Sequence, residues 1–241
     1  MSTRTPAAPA ASGPALGDPF GDAYRAVLAA DGRPGAAHLV YELSDGYVYA
    51  EDAAFYLSGP EAWWPVDREA YLRCSGRVLD VGCGAGRQAV HLAARGCEVV
   101  GVDPSPGAVE AARARGVRAR PGALPDLLLD EPPFDSFLLS GANLGLLGGA
   151  AGTRAALRRL AGLARPGARI LGTTMITPGG TTRMRVRFGA AASEWSDFHF
   201  LPPDGIAEAA AETGWRLADV VHDPGTPWPT YLAELHLEGE A

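Results

Sequence analysis

The chain contains no lysine: all 21 of its basic residues are arginine, against 28 Asp and Glu, for a formal net charge of -7. That acidic balance argues against a generic polyanion binder, because neutralising phosphates needs surplus basic side chains on one face, and no basic–aromatic surface pattern points to RNA. Cysteine is scarce. Cys74, Cys83 and Cys97 make no even framework and match no zinc-ligand spacing, so they read as reduced thiols of a cytoplasmic protein without a metal site. No apolar run reaches membrane-spanning length, which excludes a helical span and leaves no membrane partner. The opening stretch, Met1 to Pro19, lacks a charged start followed by an apolar core, so it is not a secretory signal. Its Ala, Pro, Ser and Gly residues read as a disordered tail. What is plentiful is glycine (31) and proline (20), about a fifth of the chain together, within a composition that is 47% hydrophobic and 20% charged. Those proportions suit a soluble globular protein, and 241 residues suffice for one decorated α/β domain or two small ones.

Residues 20–75 read as an N-terminal helix and hairpin cap. A helix is expected from Phe20 to Ala30, with Tyr24, Val27 and Leu28 sharing a face. His38 to Ala50 alternates around Ser44-Asp45-Gly46, a hairpin signal, and Glu51–Cys74 is partly helical, with a helix starting near Pro65 after Trp63-Trp64. After Gly76 the texture changes to strand–helix alternation. Strands are expected at 77–81, 98–102, 117–120, 134–140 and 168–174, and helices at 87–95, 106–115 and 153–163. Further strands at 181–188, 215–222 and 230–237 and a helix at 203–213 follow. Such alternation means a largely parallel sheet covered on both faces, a doubly wound α/β fold over residues 76–241.

The informative segment is Val78-Leu79-Asp80-Val81-Gly82-Cys83-Gly84-Ala85-Gly86-Arg87. A strand feeds a glycine-rich turn that opens a helix, which lets a ligand approach the backbone closely. A dinucleotide fingerprint would want its third glycine where Arg87 stands. Asp80 at the strand end would repel a diphosphate lodged on the loop and would suit a cationic ligand. The second anchor is Val99-Val100-Gly101-Val102-Asp103-Pro104-Ser105, whose acid lies at the next strand tip, where a carboxylate can accept both hydroxyls of a ribose. Cys83 stands in the loop because the turn needs a small side chain.

Together, Asp80–Arg87 and Gly101–Ser105 resemble the class I S-adenosylmethionine-dependent methyltransferases, of the bacterial small-molecule type. Phe134-Asp135 and Leu163–Arg169 agree with that pattern. The resemblance implies a Rossmann-like seven-stranded sheet, mostly parallel with an antiparallel last strand, and a substrate-side insertion at about 175–202. It implies methyl transfer from S-adenosyl-L-methionine to O, N or C of a small molecule, leaving S-adenosyl-L-homocysteine. The alternatives are a protein or RNA acceptor, or a protein that binds or uses the nucleoside without methylating. Carried over, Asp80, Gly82, Cys83, Gly84 and Gly86 would surround the methionine moiety and Asp103 would hold the ribose. Pro104, Ser105 and Gly122-Ala123-Leu124 would border the adenine, and Ser140 to Leu144, with Asn143, would face the methyl group. Tyr56 lies in the segment that commonly covers the cofactor in this family.

Methyl transfer is a displacement at carbon with a good leaving group, so a dedicated base is optional. His199 is the candidate base, with Asp197 as its partner, both beside Trp195 on the substrate side; the alternative is a His packed between Phe198 and Phe200. Arg183, Arg185 and Arg187 alternate with apolar residues and share one strand face. They form either a solvated or subunit-facing surface, or a wall in which Arg185 reads an anionic acceptor. Glu131-Pro132-Pro133-Phe134 resembles an amine-methylation motif in letters but precedes its strand. A monomer or a homodimer is compatible with all of this.

Overall fold

The apolar runs that alternate with helices after Gly76 assemble into one sheet, and the pieces on either side of them build a second. The computed structural model describes residues 15–176, 180–225 and 229–239. In chain order the N-terminal elements are β1 (Ala15–Leu16), α1 (Pro19–Ala29), β2 (His38–Leu43), β3 (Val48–Asp52) and α2 (Pro65–Arg73). There follow β4 (Arg77–Val81), α3 (Arg87–Ala94), β5 (Glu98–Asp103), α4 (Pro106–Ala114), β6 (Arg118–Pro121), β7 (Phe134–Leu139), α5 (Gly149–Ala161) and β8 (Ala164–Met175). The chain continues through β9 (Thr181–Phe188), β10 (Ala191–Ala192), β11 (Ser196–His199), α6 (Pro203–Ala211), β12 (Trp215–Asp223) and β13 (Thr230–Leu237).

The larger sheet has the order β12-β13-β8-β7-β4-β5-β6. β4 to β8 are mutually parallel, and β13 pairs antiparallel with both β8 and β12. All five residues of β4 are buried, as expected for a central strand covered on both faces. Period two sorts neighbouring residues to opposite sides. Leu79, Phe137, Ile170 and Tyr231 pack under α5 and α6 with Leu157, Leu160 and Ile206, whereas Val78, Leu138, Leu171 and Leu232 pack against Trp63, Val66 and Tyr71 around α2. Arg165-Pro166-Gly167, expected as a turn between helix and strand, falls inside β8, where pairing jumps from Phe134–Ala164 to Ser136–Arg169.

The second sheet runs β1-β10-β9-β2-β3, with β11 also on β9. Hairpin β2–β3 comes from the N-terminal segment and β9–β11 from the stretch after β8, so two pieces distant in sequence form one sheet. Opposite Arg185 of β9 stands Glu42 of β2, and the two side chains form an ion pair across 143 positions of sequence.

The expected disordered tail ends sooner than Pro19. Ala15–Leu16 pairs in parallel with Ala191–Ala192, and Pro19 is the first residue of α1. Proline suits that position because the missing N–H would have had no partner there. Asp18 caps the helix, accepting from the Gly21 N–H (3.0 Å). The rest of the expected tail, residues 1–14, lies outside the described residues.

Candidate active site

The order of strand addition in the larger sheet reverses between the parallel strands β4 and β7: β5 and β6 are added on one side, β8 on the other. The crevice beyond the carboxyl ends of such a pair is where doubly wound folds bind ligands. Here it opens into a cavity of about 500 Å³ between the loops of the larger sheet and the inner face of the second one.

The floor is the glycine loop. Gly82, Gly84 and Gly86 have φ of 72°, 54° and 77°, in the left-handed region that only glycine adopts at little cost. A Cβ on Gly82 would also lie 2.3 Å from Asn143 Nδ2, which donates to the carbonyls of Val81 (3.0 Å) and Gly82 (3.2 Å). Four of the loop amides are occupied internally. Those of Gly82 and Cys83 donate to the Val102 carbonyl, that of Gly84 to Asp103 Oδ2 (2.8 Å), and that of Gly86 to the Cys83 carbonyl. With these four N–H groups turned inward, the loop makes a poor nest for a diphosphate.

Around the loop sit two acids and a guanidinium. Asp103 also accepts from the Ser105 N–H (2.9 Å); burial pushes its carboxyl above the usual range while these two N–H groups pull it back. Asp80 is 1% exposed and its Oδ2 has no partner. Burial pushes it up to about 7, with Arg87 opposing and Asp103 and Asp67 adding to the rise. Arg87, 5% exposed, bonds Asp67 Oδ2 (3.0 Å) through Nη2, while its Nη1 is without a partner. Asp67, brought in by α2, also accepts from Thr173 Oγ1 (2.7 Å) and the Gly141 N–H (3.0 Å). Gln88, with its amide oxygen toward Arg87, accepts from Arg87 Nη2 (2.8 Å) and Ser140 Oγ (2.8 Å).

The walls are aromatic. Tyr41 stacks on Tyr49 with ring centres 4.8 Å apart, and Phe20, Tyr24 and Tyr56 close one side. Tyr56 donates to Glu51 Oε2 (2.7 Å) and shares a 2.5 Å hydrogen bond with Tyr41. Burial raises Tyr24, Tyr41 and Tyr56 well above the usual phenol range and Tyr49 to about 12, so all four stay neutral. α1 is latched over this region. Asp18 accepts from Ser105 Oγ (2.7 Å) and the Gly107 N–H (2.8 Å) as well as from its own helix.

Of the residues expected at a site, the cavity brings together Gly82, Cys83, Gly84, Asp103, Pro104, Ser105, Ser140, Asn143 and Tyr56. Asp80 is buried at the strand tip before the loop, and Gly86 serves as the N-cap of α3. Leu144 instead packs on Gly172 of β8, and Leu124 packs against the core between α5 and the sheet. Gly122 and Ala123 are not among the lining residues.

The substrate-side expectations are corrected. Arg183, Arg185 and Arg187 do share a face of β9, but Thr182 and Met184 are the β9 residues that line the cavity. Arg185 and Arg187 grip Glu42 (2.5 and 2.7 Å) and Arg183 grips Asp197 (3.0 Å), with Trp195 covering Arg183 and Arg185. No anion wall faces the site. His199 is likewise outside the lining: Phe198 and Phe200 point in, and alternation turns His199 toward Thr181 Oγ1 (3.3 Å). Glu131 is held away from the cavity by Arg77 (2.6 Å), Arg118 (2.8 Å) and Arg120 (2.5 Å). Sequence reasoning missed Glu51, Asp67 and the role of Arg87. Period two from Tyr47 and Tyr49 to Glu51 was an available signal for the first; Asp67 carried none.

Comparison with known proteins bears on the family. Residues 78–167 match the family model described as "Methyltransferase domain". That stretch is similar to a methyltransferase domain. The class I resemblance read from Asp80–Arg87 and Gly101–Ser105 is borne out. Curated relatives include the ubiquinone biosynthesis O-methyltransferases of Xylella fastidiosa strain 9a5c, 29% identical over 167 residues, and of Alkalilimnicola ehrlichii, 28% identical over 153. These matches cover 63% and 53% of this chain but only 65% and 60% of the relatives, a little under two thirds of their length. Among solved structures, a SAM-dependent methyltransferase from Bacteroides fragilis in complex with S-adenosyl-L-homocysteine superposes with TM-score 0.78 at 21% identity, covering 92% of this chain and 95% of that one. The 1,6-didemethyltoxoflavin-N1-methyltransferase of Burkholderia thailandensis gives 0.53 at 23% identity, covering 73% and 79%. Both share the fold of the methyltransferase domain described here. Among the described residues no helix is long and apolar enough to cross a membrane, and no group of three or more His, Cys, Asp or Glu could hold a metal ion.

Proposed function

We propose that this protein transfers a methyl group from S-adenosylmethionine to a small molecule held in the cavity. The observation that carries the reading is a pair of buried, unpartnered atoms of opposite character beside the glycine loop: Asp80 Oδ2, an acceptor, and Arg87 Nη1, a donor. A methionine end, with one ammonium and one carboxylate, satisfies both at once. A diphosphate could answer Arg87 but would meet Asp80 as a like charge, and it would leave Asp80 without a donor. Asp103 would hold the ribose, Pro104 and Ser105 would border the adenine, and Ser140 and Asn143 would flank the methyl group. S-adenosylmethionine supplies a methyl carbon activated by its sulfonium. The chain's own part is to align the acceptor behind that carbon and keep water out, and proximity alone can supply a large share of the rate. The free cysteines Cys74, Cys83 and Cys97 fit a reducing, cytoplasmic setting, and the largely apolar, aromatic lining of the cavity and the net charge of -7 favour a metabolite over RNA.

Calorimetric titration should detect S-adenosylhomocysteine binding and no binding of NAD; the reverse would end the reading. Incubation with methyl-labelled cofactor and host metabolites should yield a product heavier by one CH2. In the same titration Asp103→Ala should weaken S-adenosylhomocysteine about ten- to a hundredfold, the loss expected for charge-assisted hydrogen bonds. An unchanged affinity would remove Asp103 from the ribose site.

A further inference from the structure

Between the cofactor loops and the second sheet, the acceptor half of the cavity is lined by Tyr41, Tyr49, Met184 and Phe198, a largely apolar and aromatic surface. Its one charged group is Glu51. That carboxylate has no ion-pair partner among the described residues, and its hydrogen bond comes from neutral Tyr56. The single basic residue in the lining, among the described residues, is Arg87, which stands at the glycine loop and is held by Asp67. An acceptor bearing a carboxylate or phosphate therefore finds no free cation in its half and meets Glu51 as a like charge. A cation finds both Glu51 and the faces of several aromatic rings, which attract positive charge.

We infer that the acceptor is a ring-bearing or otherwise apolar amine, which enters as its ammonium ion and is held and deprotonated by Glu51. The inference rests on the reading of the site as a methyltransferase centre and names its substrate class. The step balances. The ammonium gives one proton to the Glu51 carboxylate, leaving a neutral amine with a lone pair. That pair forms the N–C bond to the methyl group as the C–S bond breaks, and sulfur keeps the bonding electrons as a neutral thioether. The product nitrogen then carries the positive charge that the sulfur lost. Tyr56, bonded to both Glu51 and Tyr41, positions the carboxylate.

The test uses the full chain saturated with S-adenosylhomocysteine and three probes of one shape, benzylamine, benzyl alcohol and benzoate, titrated by calorimetry at pH 7.5. Benzylamine should bind at least about tenfold tighter than benzyl alcohol, and benzoate more weakly than either. Glu51→Gln, which keeps an oxygen to accept from Tyr56, should weaken benzylamine about tenfold or more and move benzyl alcohol less than about threefold. Benzoate binding as tightly as benzylamine, benzylamine indifferent to Glu51→Gln, or no binding by any of the three would each overturn the inference. The wild-type ranking of the probes tests it even if the variant does not fold. Failure of wild type to hold S-adenosylhomocysteine would instead overturn the methyltransferase reading itself.

Discussion

Replacing Asp80 by Asn is expected to stabilise the free protein at pH 8 while weakening its hold on S-adenosylhomocysteine. Asp80 is fully buried with one carboxylate oxygen unpartnered, and burial lifts its pKa from the ordinary carboxylate range to about 7. The sign follows from proton counting. Between roughly pH 4 and pH 7 the folded state keeps the Asp80 proton that the unfolded chain has released, so folding stability falls as pH rises through that window. By pH 8 the loss is complete, on the order of 4 kcal/mol. Asparagine cannot ionise and escapes it. The melting temperature of Asp80→Asn should exceed that of wild type at pH 8 by on the order of 10 °C, and the gap should narrow toward pH 5. With the nucleoside bound the order should tighten or reverse, because the variant loses about ten- to a hundredfold in affinity for the methionine ammonium. Equal melting of the two free proteins at both pH values would show that Asp80 is not held in an unfavourable charged state.

Asp67→Ala is expected to be the most damaging single change to the fold. Asp67 is wholly buried, and its carboxylate gathers Arg87 from α3, the Gly141 N–H after β7 and Thr173 from β8. Truncation leaves the Arg87 guanidinium buried without its counterion, a change that costs about 3–5 kcal/mol. Urea unfolding should show the unfolding free energy fall by that amount, through a lower midpoint at unchanged slope. The double variant Asp67→Leu with Arg87→Met removes both charges and should lose less stability than the two single changes added together. If the losses simply add, the pair is not coupled.

The fold of the larger sheet was legible because each of its signals is local. A strand such as Arg77–Val81, a loop such as Gly82–Gly86 and an acid such as Asp103 lie in unbroken stretches, where period and glycine spacing speak directly. The second sheet was not legible, since its central pairing joins Val40–Leu43 to Met184–Arg187 and no local pattern announces a partner so far away. The same gap misplaced Arg185. Alternation separated the arginines of β9 from Met184, but only Glu42, aligned opposite, determines which face looks outward. His199 failed for the same reason, by one step of alternation against Phe198 and Phe200. Asp67 reads in sequence as an ordinary acid in the first turn of a helix, and its three partners meet it only once the chain has folded.

The sheet that faces the glycine loop across the cavity is woven from two threads, β2–β3 ahead of the larger sheet and β9–β11 after β8. Neither thread can be exchanged alone: a donor hairpin would lose the Glu42 grip on Arg185 and Arg187, and a donor insertion would leave Glu42 without its cations. This wall of the cavity is thus inherited as a linked pair of segments, and a chimaera that exchanges it needs crossover points on both sides of the core.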